Sequence, residues 1–354
     1  GRESDDIDIA VDKMSGVKFA EYVKKYADMQ GEKSSVGVIK AAPEQSKHLE
    51  TAIVHLLERS IDFVNLRTEK YDEKSRIPKI VPTESPEEDA HRRDLTINAL
   101  FYNINTGEVE DYIGGLDDIR EGVIKTPIPP KETLMEDPLR ALRYIRFASR
   151  FGFKIDDDIV EAVRDEDVQD AFRNKVSRER MEKEKRKMLT GPNPKLAMEL
   201  IRDFQLRSEV LKLPEKYEEW EMDQNSPYHQ LNVWDHTMET LNNLQEIIKS
   251  RNVSDADKFV LNLAALLHDV GKLDPEIKGV KEVEGKVTHT YHGHEDASIR
   301  AAEYILRNLP GVRVEEIERV KNLIDGARRV NPQRQKTDEI SKMSRKALGK
   351  FVRL

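Results

Sequence analysis

Three groups of residues in this chain have the types and spacing to handle a nucleotide. Asp6 and Asp8 stand two apart in a segment that alternates apolar and acidic side chains. That period predicts a β-strand, in which residues i and i+2 share a face. Two carboxylates on one face are the hard oxygen ligands that Mg2+ takes, with water and substrate phosphates filling its other positions. An isolated pair of this kind also describes an ordinary exposed strand edge. Arg92, Arg93 and Asp94 come just before an apolar run. Asp94 is expected to cap a helix there by accepting backbone N–H bonds. It is also a candidate contact for a ribose hydroxyl, with the arginines bonding phosphate oxygens in bidentate fashion. Glu136, Asp137 and Arg140 form the third group, with Arg143 three residues further on. Pro138 suits the first turn of a helix expected over residues 138–150. Asp137 and Arg140, three apart, are then expected on one helix face. A carboxylate that accepts beside a guanidinium that donates matches the hydrogen-bonding edge of a base. The plainer alternative is a helix-start ion pair worth about 0.3–0.5 kcal/mol. Asp62 and Arg67 lie in the β-branched, aromatic segment 61–67. Arg67 is a candidate for a triphosphate contact and Asp62 for a third metal carboxylate, against the alternative of a salt-bridged strand end.

The elements that must position these groups change character along the chain. Residues 1–12 and 61–67 read as strands, and helical patches are expected at 19–26 and 48–57, with a mobile Gly/Ser/Lys stretch over 31–42 between them. Asn105-Thr-Gly107 marks a hairpin between 100–103 and 108–112, because glycine tolerates the positive φ of a tight turn. After Pro129-Pro130 the apolar spacing becomes helical. Residues 213–227 read as a linker and a further helical module starts at Tyr228. The fold class expected is α+β, with a mixed-sheet head over 1–125, an all-α segment over 126–212 and a helical module over 213–354. The chain has 354 residues, with 38 % hydrophobic and 36 % charged residues, and no cysteine, which excludes disulfides and thiolate zinc sites. No apolar run is long enough for a membrane span. The formal net charge of −8 argues against broad nucleic-acid affinity, but basic runs over 173–187 and 328–353 stand out locally. They read either as solvated helix faces or as a track for an RNA backbone.

The order D-x-D (Asp6, Asp8), F-V-N-L-R (63–67), R-R-D-x-T-x-N-A-L (92–100), D-x-x-x-G (111–115), E-D-P-L-R (136–140) and S-R-E-R (177–180) resembles the class II tRNA nucleotidyltransferases. These CCA-adding enzymes belong to the polymerase-β nucleotidyltransferase superfamily. The resemblance covers residues 1–205, and the phrasing around Ser46 and Phe63 is similar to the eukaryotic branch. It implies that Asp6 and Asp8 bind Mg2+, that Arg93 and Asp94 contact triphosphate and ribose, and that Asp111 with Gly115 forms a hinge. It further implies that Asp137 and Arg140 read CTP and ATP, with Glu136 steadying Arg140 and the 177–184 helix buttressing the pair. The tRNA 3′-hydroxyl would attack the α-phosphate and pyrophosphate would leave, with tRNA, ATP and CTP as partners. The family's Gly-Gly turn precedes its D-x-D strand, so the N-terminus is expected to be incomplete here. Poly(A) polymerase activity, or RNA binding without catalysis, are the alternatives. The expected compartment is the cytoplasm, with the mitochondrion or nucleus as alternatives for a eukaryotic chain.

A second constellation comprises His236, His268-Asp269 and His294, with Tyr228-His229 and Glu295 nearby. Leu266–Lys272 resembles the metal phosphohydrolase superfamily named for its His-Asp pair. The resemblance implies a second divalent metal held by His268, Asp269, His236 and a distant acid, for which Asp325 is the candidate. Imidazole with carboxylate suits Ni2+, Mn2+, Fe or Zn2+. The module is expected either to hydrolyse phosphoesters or to serve as a scaffold for tRNA.

Overall fold

Ile7, Ile9 and Val11 alternate with Asp6, Asp8 and Ala10 along the first strand, β1 (Asp6–Val11), and this period decides which face of the head sheet is buried. The computed structural model describes residues 6–39, 51–72, 75–83, 85–217, 220–222, 224, 231–283 and 286–329. Two compact units are formed, residues 1–137 and 138–354. In the first, β1 is followed by α1 (Gly16–Met29), β2 (Ser34–Ile39), β3 (Thr51–Leu56) and β4 (Arg59–Asn65). The four strands pair in the order β1-β4-β3-β2, with β1 parallel to β4 and the other pairs antiparallel. Val11, Ala20, Ala52, Val54 and Phe63 form the core between sheet and α1, with Phe19 tilted against Phe63. Ser15 caps α1 by accepting from the Lys18 N–H, and a Cβ at Gly16 would lie 2.6 Å from the Phe63 carbonyl oxygen. Only glycine lets the helix start flush against β4. Asn65 locks the same corner, accepting from Gly16 N–H at 3.0 Å and donating to the carbonyls of Val11 and Met14.

The unit continues through β5 (Arg67–Asp72), β6 (Ser75–Pro82), α2 (Pro86–His91), β7 (Phe101–Asn103), β8 (Glu108–Glu110), α3 (Gly115–Glu121), β9 (Val123–Ile124) and α4 (Pro130–Glu136). The predicted hairpin is β7–β8, with Gly107 at φ +74°. Two expectations fail. The helical patch at 48–57 is strand β3 over its described part, because Ala52 and Val54 alternate inward with period two. The stretch 31–42 is not a loose segment over its described part either, since Ser34–Ile39 is β2, paired along its length with β3. Residues 40–42 lie outside the described residues, as do Tyr228, His229 and the basic stretch from 330 onward.

The second unit is helical: α5 (Arg140–Phe151), the short β10 (Lys154–Ile155), then α6 (Asp157–Arg164), α7 (Glu166–Lys175), α8 (Arg178–Thr190), α9 (Pro194–Asp203) and α10 (Arg207–Leu211). There follow α11 (Val233–Lys249), α12 (Asp255–Leu267), a hairpin of β11 (Gly279–Val283) and β12 (Lys286–Thr290), α13 (His294–Arg307) and α14 (Val314–Arg329). Helix α12 is apolar nearly all round and buried from Phe259 to Leu267, as a central helix must be. Its one buried polar side chain, Asn262, donates to the Leu189 carbonyl at 2.7 Å and accepts from Gln245 at 2.8 Å, so no hydrogen-bonding group is stranded there. The expected linker 213–227 contributes to this core: Trp220 is fully buried edge-on against Trp234. No described helix is long and apolar enough to cross a membrane.

Candidate active site and metal centre

Asp8 pairs in register with Asp62 across the parallel strands β1 and β4, and Asp6 pairs with Ser60. Directly opposed residues share a sheet face and neighbouring strands lie about 4.8 Å apart. The face that carries Asp8 and Asp62 is opposite the one packed on α1, and Asp8 is exposed there. A hard-oxygen donor set on an open face fits a small divalent cation such as Mg2+. The sequence offered Asp62 as a third carboxylate, and the strand order sets it in register with Asp8.

Arg92 and Arg93 converge on a residue that the spacing of the motifs did not single out. Asp89, on α2, is 1 % exposed. Its Oδ1 accepts from Arg92 Nε at 2.9 Å and Nη2 at 2.6 Å, and from the Arg67 backbone N–H at 3.1 Å. Its Oδ2 accepts from Arg93 Nε at 3.1 Å. Arg92 also donates to the Arg67 carbonyl, and Arg93 donates to the Asn98 carbonyl and lies over the Phe101 ring. Two guanidinium groups on one buried carboxylate leave a positive charge in a fixed orientation, which suits phosphate oxygens. An acid three and four residues before the arginine pair was the signal for it in the sequence.

Asp94 is not the helix cap expected. Residues Thr96–Asn98 make a single 3-10 turn whose N-cap is Leu95, without a side-chain cap bond. The apolar run leaves the turn for β7 too soon to build a helix. Asp94, nearly buried, accepts from Asn98 Nδ2 at 3.2 Å instead. The D-x-x-x-G segment leads into α3, whose N-cap is Gly114, and Asp111 accepts from the backbone N–H groups of Ile113, Gly114, Gly115 and Leu116 at 2.8–3.2 Å. Burial pushes its carboxyl up, but the four N–H donors outweigh it and hold the group below its usual value. A Cβ at Gly115 would lie 2.3 Å from the Thr96 carbonyl oxygen, so glycine is needed for close approach.

Asp137 and Arg140 do not sit three apart on one helix. Asp137 is the C-cap of α4, in extended conformation (φ −140°, ψ 95°), and α5 begins at Arg140. The residue before proline is pushed out of the α region, so Pro138 breaks the path between them. The two acids Glu136 and Asp137 close the first unit and Arg140, 6 % exposed, opens the second. On α5, Arg143 lies over the Phe147 ring, and Arg146 pairs with Glu184 of α8 at 2.6 Å, both nearly buried. Ser177 caps α8. The 177–184 segment therefore braces α5 through Arg146, a contact the motif did not specify.

The histidine constellation assembles around Asp269. His236 Nε2 and His268 Nε2 lie 3.3 Å apart, and each is 3.4 Å from Asp269 Oδ2. Together they offer ligand atoms within 4.8 Å of one another, the sole such group among the described residues. His294 Nε2 approaches Asp269 Oδ1 at 3.5 Å but lies outside that group, as does Asp325. The Nδ1 atoms of His268 and His294 face the carbonyls of Ala265 and Tyr291, which only accept, so both Nε2 atoms turn inward. Lys272, missed from sequence, donates to Asp269 at 2.8 Å and to Gln224 at 3.0 Å. Burial works against the Asp269 charge, but His268 and Lys272 hold its carboxyl well below the usual range. Two imidazoles and a carboxylate fit a borderline divalent cation, with Lys272 as its competitor.

Residues 1–125 match the Poly A polymerase head domain family and residues 233–345 match the HD domain family. The chain carries a Poly A polymerase head domain and an HD domain. Among curated proteins it is similar to the "CCA tRNA nucleotidyltransferase, mitochondrial" of Saccharomyces cerevisiae, at 50 % identity over 216 residues, 59 % of this chain and 39 % of the relative. It is also similar to the "Multifunctional CCA protein" of Pasteurella multocida, at 35 % identity, covering 62 % of this chain and 49 % of the relative. The chain thus spans about two fifths to one half of the length of these relatives. A solved tRNA nucleotidyltransferase, complexed with a primer tRNA and an incoming ATP analog, shares the fold at TM-score 0.54 and 24 % identity, over 75 % of this chain and 68 % of that one.

Proposed function

We propose that this head and HD pair adds C, A or both from CTP and ATP to the 3′ end of tRNA, choosing the base with amino-acid side chains. The observation that carries this reading is the register of Asp8 against Asp62 on the open sheet face, in the same unit as the Asp89-clamped Arg92 and Arg93. Asp6, Asp8 and Asp62 would hold Mg2+, which when bound supplies charge neutralisation at the triphosphate. Arg92, Arg93 and Arg67 are assigned to phosphate oxygens and Asp94 to the ribose. Asp137, Arg140, Glu136 and Arg143 are assigned to the base edge. Pre-fixed guanidinium groups lower the cost of ordering the nucleotide, the positioning strategy of phosphoryl transfer. The work divides over 1–125 for transfer, 126–212 for base and RNA contacts, and 213–354 for the HD module. The mitochondrial name of the yeast relative supports a mitochondrial compartment beside the cytoplasm.

The test is incubation of tRNA ending at the discriminator base with each nucleoside triphosphate alone and with CTP and ATP together, resolved to one nucleotide. Products that stop at three added nucleotides or fewer, without incorporation of GTP or UTP, are expected. Long adenosine tails would instead establish poly(A) polymerase activity, a reading favoured by the head domain's family description. Absence of any extension would refute both.

A further inference from the structure

We propose that a cleft in the second unit, between α8, the start of α12 and the start of α14, binds the phosphodiester backbone of RNA. Its choice of ligand rests on the RNA-handling function proposed above; the site itself rests on its own geometry. The cavity measures about 510 Å3 and is lined by the cations Lys183, Arg186, Lys187 and Arg313 and the acids Asp255 and Glu316. Both acids are already engaged. Glu316, 1 % exposed, accepts from Arg186 Nη1 at 3.0 Å and Nη2 at 3.1 Å, and from the Arg313 N–H at 2.9 Å and Nη2 at 3.3 Å. Asp255 pairs with Lys258 at 2.9 Å. Burial pushes the Glu316 carboxyl up, but the Arg186 and Arg313 bonds hold it below the usual range, so one carboxylate serves two guanidinium groups.

Arg186 is held rigidly. Its guanidinium lies 3.6 Å over the Phe259 ring centroid and also donates to the Gly311 carbonyl at 3.0 Å. Lys183 and Lys187 are different: four residues apart on α8, they are exposed side by side, and neither has an ion pair among the described residues. Elsewhere in the basic run, Lys185 is fully buried against Glu182 and Arg173 is paired with Asp170, while Arg178, exposed at the start of α8, does not line the cleft. Within the 173–187 run, this cleft is where two lysines without an ion pair among the described residues stand together. No aromatic side chain lines it, so it offers charge without a stacking platform, which suits backbone phosphates rather than bases.

The test compares the full chain with its K183A/K187A variant for tRNA affinity across a salt series. Each phosphate-binding lysine removed should reduce the slope of log K against log salt by about one. The variant's slope should therefore be shallower by about two, with affinity at low salt falling at least several-fold and KM for CTP and ATP unchanged. An unchanged slope would overturn the proposal. Titration of wild type and variant with inorganic pyrophosphate separates the sources: pyrophosphate binding abolished in the variant with RNA affinity intact would mark a free-anion site and also overturn it. If wild type binds tRNA but adds no nucleotide, the transferase reading fails while the slope comparison still decides the cleft.

Discussion

Asp89 holds the arginine pair in place, and its removal separates folding from binding. Asp89→Asn keeps the size but removes the charge between two guanidinium groups. Breaking a buried pair on one side costs about 3 kcal/mol. A lower Tm is expected together with a KM for ATP and CTP raised at least tenfold. A fall in Tm with unchanged KM would reduce Asp89 to a structural role. Asp8→Ala removes an exposed carboxylate that packs against nothing in the core, so stability should hold while nucleotide addition disappears. Labelled CTP and ATP incorporation measures this, and retained incorporation would refute the metal role. Asp111 provides a pH test. Its carboxyl titrates below its usual 3.8 in the folded chain, so it stabilises above that value and its contribution fades as pH falls through the folded value. Asp111→Ala, which removes every acceptor for those N–H groups, should cost about 1 kcal/mol at neutral pH, and the difference should shrink in acid denaturation scans below pH 3.8.

At the scale of elements, the brace between α5 and α8 sets the stability of the helix that begins at Arg140. Arg146 and Glu184 are 11 % and 7 % exposed, so replacing one strands the other. Arg146→Leu alone should destabilise by about 3–4 kcal/mol, while the double change to Leu at both positions should recover most of it. Chemical denaturation of the single and double variants measures this; additive losses would show that the pair is not coupled. Gly271 performs a related task for the HD module. A Cβ there would lie 2.2 Å from the His294 carbonyl oxygen and 2.4 Å from Ser298 N, so glycine lets the turn after Asp269 lie against the start of α13. This close approach brings His294 to Asp269.

At the scale of the whole molecule, two imidazoles and a carboxylate come together in the HD domain, while the head offers the opposed carboxylates of Asp8 and Asp62. Hard and borderline donors select different metals. Ni2+ or Zn2+ at about 100 times its Kd should therefore stabilise the native chain by about 2.7 kcal/mol through the HD cluster. Thermal melts with and without chelator measure the shift. His268→Ala should abolish it, and an equal shift in that variant would place the ion elsewhere.

The sequence by itself determined the inventory: Asp6-x-Asp8, the Arg92-Arg93-Asp94 and Glu136-Asp137-Arg140 groups, the β7–β8 hairpin and the helical pattern after residue 129. These follow from local rules, namely strand alternation, turn glycines and helical spacing, that need no distant partner. It misjudged β2 and β3: a Gly/Ser stretch and an alternation only two inward residues long, Ala52 and Val54, do not mark strands until their neighbours supply the hydrogen bonds. It misjudged Asp94 and the Asp137–Arg140 spacing because an apolar run ended early and Pro138 broke the helix start. Only the tertiary structure placed Asp62 beside Asp8, buried Asp89 under two arginines, turned Glu184 to Arg146 and put Lys272 on Asp269. Each of those depends on strand order or helix packing, which join residues far apart in the chain or decide which way a nearby side chain turns.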